Sequence, residues 1–178
     1  VVHKFGGDTL RLYEMFIGPF DKTVAWSWES LEGVHRFLKR VWVLGGKACG
    51  DSSTIAAKAK VNTLNQRVDT DLEAMKFNTA VSACMKFVNW WQSHQEEVGR
   101  AEVESFIKIL APLAPFISEE IWNKLGHKDS IHIQSWPSYD PSIRIQSQGT
   151  VVVQVNGKKR DLIADGPNLE QLALASAK

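Results

Sequence analysis

The sequence predicts a mainly α fold: an antiparallel helical bundle followed by a small, incomplete α+β piece with a β-hairpin. Three observations predict it. Apolar side chains recur at helical spacing through successive segments from Asp8 to Gly126. Pro, Gly, Ser and Asn punctuate those segments at intervals that suit helix ends. From residue 150 the pattern changes, because Thr150 to Val155 is a β-branched run and the Asn156-Gly157 that follows is the strongest short hairpin signal.

The first helix is expected over Thr9 to Ile17, with Asp8 as N-cap and Gly18-Pro19 as stop. Leu10, Leu12, Tyr13, Met15, Phe16 and Ile17 surround its axis, which implies burial on most sides. The second runs from about Trp28 to Leu44, capped by Ser27 or Ser30 and stopped by Gly45-Gly46. At about 100° per residue, Leu31, Val34, Leu38, Val41 and Trp42 share one face. Arg36, Lys39 and Arg40 share the opposite face, where acids enter only near the start, at Glu32.

A loose Gly/Ser segment, Gly45 to Ser53, leads to a third helix over roughly Thr54 to Ala74. Its stripe is Val61, Leu64, Val68, Leu72 and Met75. Asn78 is expected to cap a fourth helix, Thr79 to about His94, with the stripe Ala80, Cys84, Phe87 and Trp91. A fifth, about Ala101 to Leu110, is ended by Pro112. The sixth starts near Pro115, carries Ile117, Ile121, Trp122 and Leu125, and stops at Gly126. Ile131 to Trp136 alternates weakly, and Pro137 to Gln148 has the Ser, Pro and Gln content of a linker. Lys158 to Ile163 is the return strand, and Asn168 caps a last helix. A lone two-stranded hairpin is marginal in water, so the region from Gly149 onward is expected to be the least stable.

A length of 178 residues allows one well-buried domain and a small second one. With 44% hydrophobic and 23% charged residues, the chain does not have the composition of a disordered tail. Its net charge of +1 gives no global field toward nucleic acid, so any RNA binding must rest on a local basic face. Cys49 and Cys84 fit no metal-ligand spacing and read as free thiols in a reducing compartment. No apolar run reaches the roughly 18 residues of a membrane span. Val1-Val2-His3-Lys4-Phe5 is no signal peptide, and both termini read as cut ends of a longer protein. The seven tryptophans are expected to be mostly core anchors. Glu119-Glu120 and the scattered histidines lack a nucleophile at useful spacing, so no catalytic residue and no metal or cofactor site is expected.

Six segments carry a resemblance. Gly7-Asp-Thr-Leu-Arg-Leu-Tyr-Glu-Met-Phe-Ile-Gly-Pro19 is similar to the segment that leucyl-tRNA synthetases carry shortly after their KMSKS loop. Arg36-Phe-Leu-Lys-Arg-Val-Trp42 resembles the helix that follows, and Met75-Lys-Phe-Asn-Thr-Ala80 a link between two bundle helices. Leu110-Ala-Pro-Leu-Ala-Pro-Phe-Ile-Ser-Glu-Glu-Ile-Trp122 resembles a segment shared by class Ia synthetases, with Gln134-Ser-Trp-Pro137 after it in the expected order. Val153-Gln-Val-Asn-Gly-Lys158 with Arg160-Asp161 looks like the opening hairpin of the bacterial leucyl enzyme's C-terminal domain. The HIGH and KMSKS signatures and the editing insertion are absent from these residues.

The resemblance implies the tRNA-binding portion of a cytoplasmic, monomeric leucine–tRNA ligase. Its partner is tRNA(Leu), while leucine and ATP with Mg engage only a catalytic domain outside these residues. It implies four regions: 1–18 as the end of the catalytic and stem-contact part, 19–137 as the anticodon-binding bundle, 138–148 as linker, and 149–178 as the start of the C-terminal domain. Arg36, Lys39 and Arg40, extended by Lys47, read as phosphate contacts along the bundle or as an ordinary solvated face. Lys158, Lys159 and Arg160 read as contacts to the tRNA elbow or as protection of a strand edge. Arg11 reads as the partner of a carboxylate, in the catalytic domain or locally at Glu14 or Asp8, ahead of an RNA contact. A self-standing tRNA-binding module and a protein-binding helical scaffold are the rival readings.

Overall fold

The computed structural model describes residues 1–19, 21–47, 49–143, 150–155 and 158–164. By its internal contacts the chain divides into two units, 1–144 and 145–178.

The first unit is helical. Its elements are α1 (Val2–Phe5), α2 (Gly7–Phe16), α3 (Trp28–Gly45), α4 (Ile55–Glu73), α5 (Phe77–Ser93), α6 (Arg100–Leu110) and α7 (Pro115–Lys124). Single 3-10 turns sit at Gln95–Glu97 and Ile131–Ile133. α4 packs on α5 and α6, α6 on α7, and α2 lies across α3, α5 and α7. Apolar stripes meet in one continuous core, in which Phe37, Phe106, Ile107, Leu110 and Ile121 are fully buried. Phe87, Trp91 and Phe106 form its aromatic centre, with Phe87 and Phe106 ring centroids 4.9 Å apart.

Local chemistry starts the helices. The Ser27 hydroxyl accepts from Ser30 N–H at 3.2 Å to cap α3, and Thr54 accepts from Ala57 N–H at 3.2 Å to cap α4. α4 ends on Met75, which takes the left-handed conformation (φ 55°), while Lys76 N–H returns to the Asp71 carbonyl at 2.7 Å. The Gly/Ser segment before α4 is not loose. Arg100 N–H donates to the Gly50 carbonyl, Gly99 N–H to Ser53 Oγ, and Thr54 N–H to the Glu97 carbonyl. A side chain at Gly99 would stand 2.7 Å from the Ser52 backbone, so the close approach of these two segments requires glycine.

Several sequence expectations need correction. Asp8 does not cap the first helix: α2 starts at Gly7, and the buried Asp8 carboxylate instead accepts from Phe116 and Ile117 N–H in the first turn of α7. Asn78 is no cap either, since α5 begins at Phe77. Gly45 is the last helical residue rather than a stop, and a Cβ there would meet Ile121 at 3.0 Å. Trp42 is 38% exposed instead of buried, because α3 turns Phe37 into the core in its place. Among the described residues Arg11 makes no ion pair with Glu14 or Asp8; its Nη2 donates to the Pro112 carbonyl at 3.0 Å. Met75, expected in a buried stripe, is exposed past the helix end.

Leu12 and Tyr13 of α2 are buried in the same core as the later helices. The stretch expected as linker is bound to the bundle over its first part. Asn62 donates to the carbonyls of Asp140 and Ile143 and accepts from Asp140 N–H, while Asn65 donates to the Pro137 carbonyl. Two asparagines one turn apart on α4 thus satisfy an irregular backbone that a sequence pattern reads as free.

In the second unit, β1 (Thr150–Val155) and β2 (Lys158–Ala164) pair antiparallel, from Thr150 opposite Ala164 to Val155 opposite Lys158. The register shifts between Val153 and Gln154, so Arg160 is the extra residue of a bulge. The Asn156-Gly157 turn and the helix expected from Asn168 lie outside the described residues.

Candidate nucleic-acid interface

The rotation of α3 fixes the basic face. Leu31, Val34, Phe37, Leu38, Val41 and Leu44 are buried, which leaves Arg36 and Lys39 outward and exposed. Neither makes a hydrogen bond or ion pair with a described residue. Arg40 is different. It is half-buried, its Nη1 donates to Asn89 Oδ1 of α5 at 2.7 Å, and its Nε is buried with no partner among the described residues. Lys47 donates from Nζ to Gln95 Oε1, also at 2.7 Å. Sequence reasoning treats the four cations as one set, and the structure separates two free ones from two that are engaged.

These cross-links show that α3 and α5 run parallel, since residue 40 meets residue 89 and residue 47 meets residue 95. One turn before Asn89 on the same face of α5 stands Lys86, exposed and with no ionic or hydrogen-bond partner among the described residues. Sequence reasoning missed Lys86. A signal was available, because α5 contains no Asp or Glu at all. What the sequence could not supply was its neighbour. On α3, acids are confined to the N-terminal end, where Glu29 and Glu32 are exposed, and Trp42 and Val43 are exposed apolar residues between Lys39 and Lys47.

Lys158 and Lys159 stand opposite Val155 and Gln154 on β2, with Arg160 at the bulge; their side chains lie outside the described residues. Most other candidate groups have structural duties. Trp91 and Trp122 are buried, and the Trp122 indole donates to the Asp129 carbonyl at 3.0 Å. Trp90 stacks on His94 at 4.6 Å with Lys60 Nζ over its ring, so it offers no free stacking platform. Trp42 carries Lys124 Nζ 3.7 Å above its ring centroid. Trp26 and Trp28 are half-exposed and edge-on to each other, with Trp26 also against Tyr13, whose hydroxyl accepts from Ser27 N–H.

Glu119 accepts from Ile131 N–H and Ser130 Oγ and so ties down the turn after α7. Among the described residues no group of His, Cys, Asp and Glu could hold a metal ion, and no helix is long and apolar enough to cross a membrane. Cys49 and Cys84 are both free; burial pushes the Cys84 thiol up to about 12, which keeps it protonated and unreactive.

Comparisons with known proteins bear on this arrangement. Residues 56–174 match the family model described as the anticodon-binding domain of tRNA ligase. The fold is similar to a chain in the crystal structure of a ternary complex of an Agrobacterium radiobacter LeuRS with tRNA and LeuAMS. That match has a TM-score of 0.74 and 23% identity, and it covers 99% of this chain and 25% of that one. This chain therefore spans about a quarter of the length of the protein it resembles. The family match opens one residue into α4 and runs past α7, and on that extent the chain belongs to the anticodon-binding domains of tRNA ligases.

Proposed function

We propose that this chain is the tRNA-binding portion of a leucine–tRNA ligase, which holds the tRNA body so that its acceptor end falls where other parts of the enzyme leucylate it. Holding one substrate in register converts a loose encounter into a positioned one, and that is the share of catalysis a non-catalytic bundle supplies. The observation that carries the reading is the outward row Arg36 and Lys39, unpaired among the described residues, on a bundle of the anticodon-binding family. The leucyl assignment is supported by the order of the six motifs and by likeness to a LeuRS fold. ATP with Mg, and leucine, would engage the remainder of such an enzyme. In this reading the protein works in the cytoplasm as a monomer, and residues 149–178 open a C-terminal α+β domain whose Lys158, Lys159 and Arg160 face tRNA.

Binding of a tRNA(Leu) transcript against salt tests the reading. Each lost phosphate contact lowers the slope of log K against log salt by somewhat less than about one unit. Arg36→Gln with Lys39→Gln should lower the slope by nearly two such steps while the fold persists, because both side chains are exposed. Identical slopes would make the row plain solvated surface. Leucine-dependent pyrophosphate exchange by the chain alone would overturn its non-catalytic role.

A further inference from the structure

We propose that α5 supplies a second row of the RNA-binding face, in which Lys86 contacts the phosphodiester backbone beside Arg36 and Asn89 is a positioning residue that holds the Arg40 guanidinium toward it. The inference rests on the RNA-binding reading above and deepens it. Packed helix axes lie roughly 8–10 Å apart, so parallel helices present two rows at that separation. The cross-links Arg40–Asn89 and Lys47–Gln95 fix the register of the rows, and one turn earlier the same register brings Arg36 and Lys86 to matching positions.

Chemistry favours one occupant. α5 carries no carboxylate from Phe77 to Ser93, and the acids of α3, Glu29 and Glu32, lie before Arg36, so the shared face is cationic from Arg36 onward. Beside Lys86, the α5 row offers Ser82 and Asn89, donors of the kind that bind phosphate and ribose oxygens. Around Arg40 and Lys86 the tryptophans are engaged, Trp90 by His94 and Lys60 and Trp42 by Lys124, while the exposed Trp28 stands at the N-terminal end of α3, edge-on to Trp26. Cations and donors without a free ring between them suit a sugar–phosphate backbone rather than unpaired bases. The Arg40–Asn89 bond adds a steering element: Arg40 Nε is buried without a described partner, and Nη1 is held by Asn89. Its remaining donors are aimed by that clamp.

Fluorescence anisotropy with a labelled tRNA transcript over a salt series, on the whole 178-residue chain, tests the proposal. Lys86→Gln should lower the slope by somewhat less than about one unit, and Lys86→Glu should weaken binding further. Asn89→Ala removes no charge, so it should weaken binding with a smaller change of slope. Lys128→Gln, an exposed lysine outside α3 and α5, is the control for net charge and should leave the slope unchanged. Circular dichroism of each variant should match the parent, because Lys86, Asn89 and Lys128 are all exposed. If both Lys86 variants bind like the parent while Arg36→Gln still lowers the slope, the second row is refuted and the RNA reading stands. If Arg36→Gln is also silent, the RNA reading itself fails. Equal losses in Lys86→Gln and Lys128→Gln would reduce the effect to net charge and overturn the proposal.

Discussion

The carboxylate of Asp8 accepts the backbone N–H of Ile117 at 2.7 Å, across 109 residues of sequence. A second bond from Phe116 at 3.3 Å completes the arrangement, so a side chain on α2 caps the N-terminus of α7. The first N–H groups of a helix have no partner inside it, and Pro115 at the start removes one of them. Asp8→Ala would remove the cap from the other two and should cost about 0.5–2 kcal/mol, read as a lower urea midpoint. Asp8→Asn keeps one acceptor oxygen and should cost less. An equal, near-zero effect of both would mean that solvent replaces the cap.

Burial is the largest influence on Asp8 and pushes its carboxyl above the usual range, outweighing the Ile117 and Phe116 hydrogen bonds and the nearby Arg11 and His132 charges. The folded state therefore binds this proton more tightly than the unfolded chain. Its contribution is fully present below 3.8, the unfolded value, and is lost as pH rises through the folded pKa. The stability of the parent relative to Asp8→Asn should thus improve on acidification across that window. A difference that is flat with pH would contradict the buried, raised carboxyl.

Glu104 titrates in the opposite sense. Burial, its largest single influence, raises it, but hydrogen bonds and charges from His127 and Arg100 together outweigh burial and hold the carboxyl below its ordinary 4.5. Both bonds are 2.8 Å, and His127 is itself stacked on Trp122 with ring centroids 3.6 Å apart. The stabilisation is present above 4.5 and lost as pH falls through the folded pKa. Urea midpoints of Glu104→Gln and the parent should differ at neutral pH and converge in acid. A constant gap would show that the amide replaces the carboxylate fully.

Met75→Gly should stabilise the protein by about 0.5–1 kcal/mol. A left-handed conformation costs an L-residue roughly 1–2 kcal/mol, and the extra unfolded-state freedom of glycine takes back part of that gain. Met75 is 52% exposed, so little packing is lost. A lower urea midpoint would mean that the methionine side chain holds the α4–α5 turn.

Thiol labelling should separate the cysteines. Burial also raises Cys49, the largest influence on it, but that side chain is partly exposed and should react slowly in the native state. Cys84, wholly inside the core, should react only as fast as the protein opens. Two equivalents reacting at once under native conditions would contradict the core position of α5.

The sequence by itself determined where helices form. Periodicity and turn chemistry placed α3, α4, α5, α6 and α7 within a few residues, because an apolar stripe and a serine or threonine cap are local properties of the chain. The outward Arg36 and Lys39 were legible for the same reason: burying one face of α3 exposes the other. Only the tertiary structure decided which helices become neighbours. Asp8 caps α7 instead of α2, Arg11 serves the Pro112 carbonyl, and Asn62 and Asn65 hold the segment that composition marked as linker. It also drew Arg40 and Lys47 into cross-links, which depend on α3 and α5 running parallel. Hydrogen-bond partners far apart in sequence follow from packing, and a one-dimensional pattern carries no record of which stripe meets which.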